Sequence, residues 1–153
     1  MVLLSSCYYA WTFITSTNHR IIAQTYLVCG CIGFLSGYSE SMFIRDYLAL
    51  SHGTWFIDKG AARIHYYNSI ITSHGINMIF FFVMPILIGS FGNYLLPIDT
   101  LAPDMNLPRL NHISVLLFVL ASLLNVVNAY GLNPSCGWTM YPPLTSHIGS
   151  SHV

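Results

Sequence analysis

Charge is what this sequence has least of. Only 7% of its 153 residues are Asp, Glu, Lys or Arg, against about 25% in a typical soluble domain. That scarcity, together with 54% hydrophobic residues and a mean hydropathy of +0.60, excludes an ordinary soluble globule and predicts an integral membrane protein. Five basic residues balance five acidic ones. No basic patch is therefore present for nucleic acid or for docking on an acidic membrane surface, and nucleic acid is excluded as a partner. Cysteine is also sparse: Cys29 and Cys31 lie two apart in an apolar helix, facing different sides, while Cys7 and Cys136 are isolated. Neither a disulfide framework nor a metal spacing follows. The first twenty residues lack a basic n-region, a small-residue cleavage site and the Arg-rich amphipathic pattern of a transit peptide, so insertion without a removable presequence is expected. Internal repeats and low-complexity segments are absent.

What the chain does have is long uncharged runs. Residues 1–20 read as an interfacial leader with aromatic anchors Tyr8, Tyr9, Trp11 and Phe13, a type enriched at membrane boundaries. A first span is predicted over 21–44, roughly 36 Å of helix, carrying Gln24 and Glu40 near its ends. Gly30, Gly33 and Gly37 mark a small-residue track, including a GxxxG pair, that lets another helix approach. A polar connection over 45–65 leads to a second span over 66–96, which has no charged residue and exceeds the roughly 20 residues a bilayer needs. Its length predicts tilt or protrusion, and Pro85 predicts a kink, because proline removes a backbone hydrogen bond. A turn-rich loop follows over 97–112, then a third span over 113–129 and a Gly/Ser/Pro-rich tail over 130–153. Lys and Arg fall on both sides, giving no orientation by charge.

Within the second span His74 is an ionisable group inside the membrane, which by default marks a functional site with a partner. A haem iron is one candidate, since the small neighbours Ser73 and Gly75 leave space for a flat macrocycle; the alternative is a histidine that only hydrogen-bonds a neighbouring helix. Tyr67 lies two turns earlier on the same face, about 10.5 Å along the axis, where it fits either a haem propionate or an interfacial anchor. Arg45, at the same end of the first span, fits a polar haem substituent or simple snorkelling to water. Asp104 precedes the third span among Asn93, Asn111 and Ser114, with Tyr26 available from the first span. Such a set can line a wet proton path, or Asp104 can be a solvated loop carboxylate. His112, His147 and His152 form no compact metal spacing.

Several blocks then resemble one family. Thr17-Asn18-His19, Tyr67-Asn68, the run ITSHGINMIFFFVMPILIGSFGNY from Ile71, Ala102-Pro103-Asp104-Met105, Pro108-Arg109 and Gly137-Trp138-Thr139-Met140-Tyr141-Pro142-Pro143-Leu144 are similar to subunit I of the haem–copper cytochrome c oxidase family, in its order and at similar spacing over about residues 16–149. The resemblance implies an all-α integral membrane fold, three transmembrane helices of a larger twelve-helix bundle completed by other chains. It implies that His74 is an axial ligand of the low-spin haem a iron, that Arg45 bonds the haem formyl group, and that Tyr67 and Trp138 lie near its propionates. Asp104 then corresponds to the mouth of a proton pathway along which Asn93, Asn111, Tyr26 and Ser114 are polar positions. Asp46 and Tyr47 depart from the family's Ala-Glu after Arg45, which puts its sodium or calcium site in doubt.

The same resemblance implies an enzyme subunit that transfers electrons through haem a, coupled to oxygen reduction and proton pumping, in the mitochondrial inner membrane. Haem a3, copper and the second haem a ligand are expected on a completing chain, either the rest of a split subunit I or what a truncated product lacks, beside subunits II and III, membrane lipid and cytochrome c as donor. This chain alone is not expected to reduce oxygen. The competing readings are a small membrane subunit that binds no cofactor, and the equivalent piece of a quinol oxidase.

Overall fold

The fold, seen in a computed structural model, is described for residues 15–49, 60–128 and 135–145. The aromatic anchors of the leader, Cys7, residues 50–59 of the first connection and two tail histidines, His147 and His152, lie outside the described residues. Three helices carry the rest. α1, His19–Ala49, starts where Asn18 leaves the extended backbone. The Asn18 side-chain oxygen accepts the Arg20 amide at 2.9 Å and its carbonyl accepts the Ile22 amide at 3.1 Å, so one residue satisfies two donors that a helix start otherwise leaves bare.

α2 is an unbroken helix of four parts: α-helical Gly60–Ile76, π-helical Asn77–Val83, π-helical Pro85–Gly92 and α-helical Asn93–Asp99. Pro85 opens the second π segment. Wider turns absorb the missing proline donor and the bulk of its ring, so the helix runs on through the proline. Pro97 also lies inside the helix, and termination waits until Leu101 enters the left-handed region at φ 52°. There the Leu101 amide donates to the Ile98 carbonyl at 3.2 Å and the Ala102 amide to the Pro97 carbonyl at 3.0 Å, the paired bonds of a Schellman stop usually closed by glycine. α3, Pro108–Asn128, begins on a proline whose missing N–H costs nothing at a first helical position.

All three helices are long and apolar enough to cross a membrane, over His19–Ala49, His65–Asp99 and Pro108–Val126. No strand occurs among the described residues. The protein is an all-α, multi-pass membrane chain, part of a helical bundle. Its helices begin earlier or end later than hydropathy alone suggests, because the polar residues at their ends remain helical.

Packing follows membrane logic. Among the described residues four hydrophobic side chains are buried, Ile22, Ala23, Tyr26 and Val115, whereas buried polar ones include Thr72, Ser73, Asn77, Ser90 and Asn93. Many leucines, with Phe43, Phe80 and Phe91, point outward, because apolar solvent gives them no reason to hide; helices meet largely through small residues and interhelical hydrogen bonds. The glycine track of α1 is that contact. Gly30 faces the Ile86 side chain, Gly33 faces the backbone of Phe81, and Gly37 faces Met78. Further toward the start of α1, Tyr26 covers Gly89 and meets the Phe118 ring of α3 at 5.1 Å.

Candidate functional site

Polar side chains gather at two levels of the bundle. The first lies at the start of α1. Asp104, in the loop between α2 and α3, accepts the Met105 amide at 2.8 Å and contacts Nδ1 of the buried His19 at 3.1 Å. The Met105 amide, and then His19, hold its carboxyl below the ordinary value of 3.8. A lowered folded-state value means the contribution to stability is complete above the ordinary aspartate range and is lost as pH falls through the lower value. Acid titration followed by the carboxyl stretch of Asp104 is therefore expected to detach it from His19 only below about pH 3.8; detachment near neutrality would contradict the assignment.

A cleft of about 630 Å³ opens beside Asp104, lined also by Asn111, Ser114, Pro97, Thr100 and Leu110. The Asn111 amide nitrogen is buried with no protein partner, a group that requires water or costs about 1–3 kcal/mol. Ser114 donates to the Asn111 carbonyl at 2.6 Å, and its oxygen lies 3.0 Å from the Tyr26 hydroxyl. Asp104, Asn111, Ser114 and Tyr26 are thus brought together. Asn93 is not: its amide turns back to the Gly89 carbonyl at 2.7 Å, and it does not line the cleft. His19 is the member that residue-by-residue reading missed. It entered the sequence reading only within the Thr17-Asn18-His19 block, with no role attached.

The second level centres on His74. It lies in the α-helical first part of α2, and its Nδ1 is 2.8 Å from the Gly37 carbonyl of α1. A carbonyl only accepts, so Nδ1 is the donor here, and in the neutral imidazole Nε2 then keeps its lone pair. Gly37 stands 18 residues beyond His19 along α1, so this level lies about 27 Å from the first. Tyr67 stacks on Tyr47 at 4.4 Å, which brings it to the end of α1 that carries the exposed Arg45. Trp138 belongs to a segment folded against α2: the Gly137 amide donates to Thr72 Oγ1 at 2.9 Å, and Ser135 lies 3.3 Å from His65 Nδ1. The Trp138 side chain sits on Gly75, where an added Cβ would meet it at 3.2 Å.

That contact bears on one expectation. The small neighbours of His74 are themselves faced by protein. Gly75 admits Trp138, and Ser73 is buried against α1, where its hydroxyl donates to Glu40 at 2.5 Å. Among the described residues no cluster of three or more His, Cys, Asp or Glu can hold a metal ion.

Comparison with known proteins agrees with this architecture. Residues 21–152 match the family described as cytochrome c and quinol oxidase polypeptide I. Cytochrome c oxidase subunit 1 of Candida albicans is 43% identical over 150 residues, covering 92% of this chain and 26% of that protein. The Plasmodium falciparum subunit 1 is 37% identical over 141 residues, with 92% and 29% covered. The bacterial subunit 1 of Cereibacter sphaeroides is 34% identical over 164 residues, with 89% and 29% covered. The chain spans about a quarter of the length of these relatives.

Proposed function

The chain belongs to the cytochrome c and quinol oxidase polypeptide I family, and on that premise we propose that it forms part of the core of a terminal respiratory oxidase, supplying one axial ligand of a low-spin haem a and the mouth of a proton-uptake path. The observation that carries the proposal is the bond between His74 Nδ1 and the Gly37 carbonyl. It fits a haem iron: it fixes the tautomer that leaves Nε2 as donor, holds the ring, and makes the imidazole more basic, the usual arrangement around a metal-bound histidine. Haem supplies one-electron redox chemistry when bound. The chain's own part is to present Nε2 from a turn clamped against α1, with Trp138 beside it and Tyr67 and Arg45 toward the end where polar haem substituents are accommodated.

At the other level Asp104 is the surface carboxylate that gathers protons. The cleft beside it holds water, for which Asn111 Nδ2 is a waiting donor, and the Ser114 and Tyr26 hydroxyls continue the line inward. Asn93 takes part only if its amide releases Gly89. The remaining haem a ligand, haem a3 and copper lie in the parts of the subunit outside these 153 residues. On the same reading the chain works beside subunits II and III in the mitochondrial inner membrane with cytochrome c as donor, an expectation supported by its similarity to cytochrome c oxidase subunit 1 chains.

Asp104→Asn tests the uptake role. In the assembled complex it is expected to slow proton uptake and turnover on the order of a hundredfold, with the haem spectrum unchanged. Proton uptake at the parental rate refutes the role. A chain that only packs in the complex without cofactor predicts no effect of either Asp104 or His74 on spectrum or turnover.

A further inference from the structure

The largest polar network among the described residues lies at the level of His74 and takes no part in the ligand or proton-uptake readings. Its centre is Glu40, a half-buried carboxylate on α1. The Ser73 hydroxyl donates to its Oε1 at 2.5 Å, and the Asn77 amide nitrogen lies 2.9 Å from both Oε1 and Oε2. The same nitrogen reaches Ser36 Oγ at 3.3 Å, and the Asn77 oxygen accepts from the Asn125 amide of α3. Asn77 is 1% exposed and Ser73 6%, so these groups have no water to fall back on and must find their partners within the protein.

The placement of the donors is what gives the network a purpose. Ser73 is the residue before His74, and Asn77 lies three after it, on the neighbouring turn. Gly37, which accepts from His74 itself, is three residues before Glu40. One turn of α1, residues 37–40, therefore receives three side chains from two neighbouring turns of α2: His74 on a backbone carbonyl, Ser73 and Asn77 on the Glu40 carboxylate. Asn77 is also where α2 changes from α to π geometry. A change of register at this place would swing His74 away from Gly37 unless the turn were held from outside. The Asn125 bond ties the same point to the third helix.

We propose that Glu40 is a positioning residue for the haem ligand: through Ser73 and Asn77 it holds the His74 turn so that Nδ1 stays on the Gly37 carbonyl and Nε2 keeps its direction and basicity. This rests on the ligand reading of His74. Loss of the Glu40 acceptor frees the turn, weakens the bond to Gly37 and makes the imidazole a poorer donor. A poorer donor stabilises the oxidised iron less, so the reduction potential rises.

The test uses the complete oxidase complex purified from its membrane. Glu40→Leu is expected to displace the low-spin EPR g values and to shift the haem a reduction equilibrium about tenfold toward the reduced form, which is about 59 mV for one electron. Glu40→Gln, which retains one acceptor oxygen, moves both in the same direction by less. If Glu40→Leu melts earlier yet keeps the parental g values and potential, the residue is mere packing and the proposal is overturned. Should Glu40→Leu fail to assemble, Glu40→Gln decides: displaced g values support the proposal and parental ones overturn it. His74→Leu separates the two readings. A low-spin signal that persists there sinks the ligand assignment; a signal lost there but untouched by both Glu40 variants sinks only the role of Glu40.

Discussion

His74→Leu in the assembled complex is expected to abolish the low-spin haem absorption and with it electron transfer to the oxygen-reducing centre. Leucine offers no lone pair, and it also strips the Gly37 carbonyl of its side-chain donor, a loss of about 1–3 kcal/mol where water is excluded. The spectral and structural effects can be told apart. His74→Ala opens a space of imidazole size, and added imidazole is expected to restore part of the low-spin band without covalent attachment. An absorption band that survives both substitutions, with the complex intact, means the iron takes its ligand elsewhere.

The second large effect concerns the seam between α1 and α2. At Gly33 an added Cβ overlaps the Phe81 carbonyl oxygen and comes within 2.8 Å of its carbon, whereas at Gly37 the nearest obstacle is the Met78 sulfur and at Gly30 the Ile86 side chain. Thioether and isoleucine side chains can turn away; a backbone carbonyl cannot. Gly33→Ala is therefore expected to cost more than Gly37→Ala, by about 1–3 kcal/mol, and Gly33→Leu to leave little assembled complex. Thermal denaturation in detergent and recovery of complex from membranes measure the two. Equal tolerance of alanine at positions 33 and 37 would contradict the close approach.

How much of this was legible beforehand depends on the local geometry of each residue. Span number and class follow from composition, because uncharged runs of this length have few alternatives. Tyr67 and His74 sit in the α-helical part of α2, where a seven-residue interval keeps its meaning. Asn93 lies past fifteen residues of π-helix, where turns are wider and an interval counted at 3.6 residues per turn loses its face; no local feature of the sequence announces that change. Pro85 read as a kink for the same reason. Glu40 was visible as a charge near a span end, but not as the partner of Ser73 and Asn77, since pairing between helices depends on an offset that only packing sets. Ser73 and Gly75 show the reverse: their smallness is plain in the sequence, and the closeness of Glu40 and Trp138 is not. The GxxxG pair, a weak sign in itself, marks the close approach of α1 to the α2 backbone at Gly33.

The unequal grip on the three helices has its own consequence. A third of the apolar window of α1 is buried within the chain, against 6% of that of α3. α3 is held mainly at Val115, Phe118 and Asn125, while its remaining leucines look outward. Taken alone, α1 and α2 make a hairpin, and α3 joins it on a short tether. Most of the surface of α3 is thus left for something other than its own chain to cover.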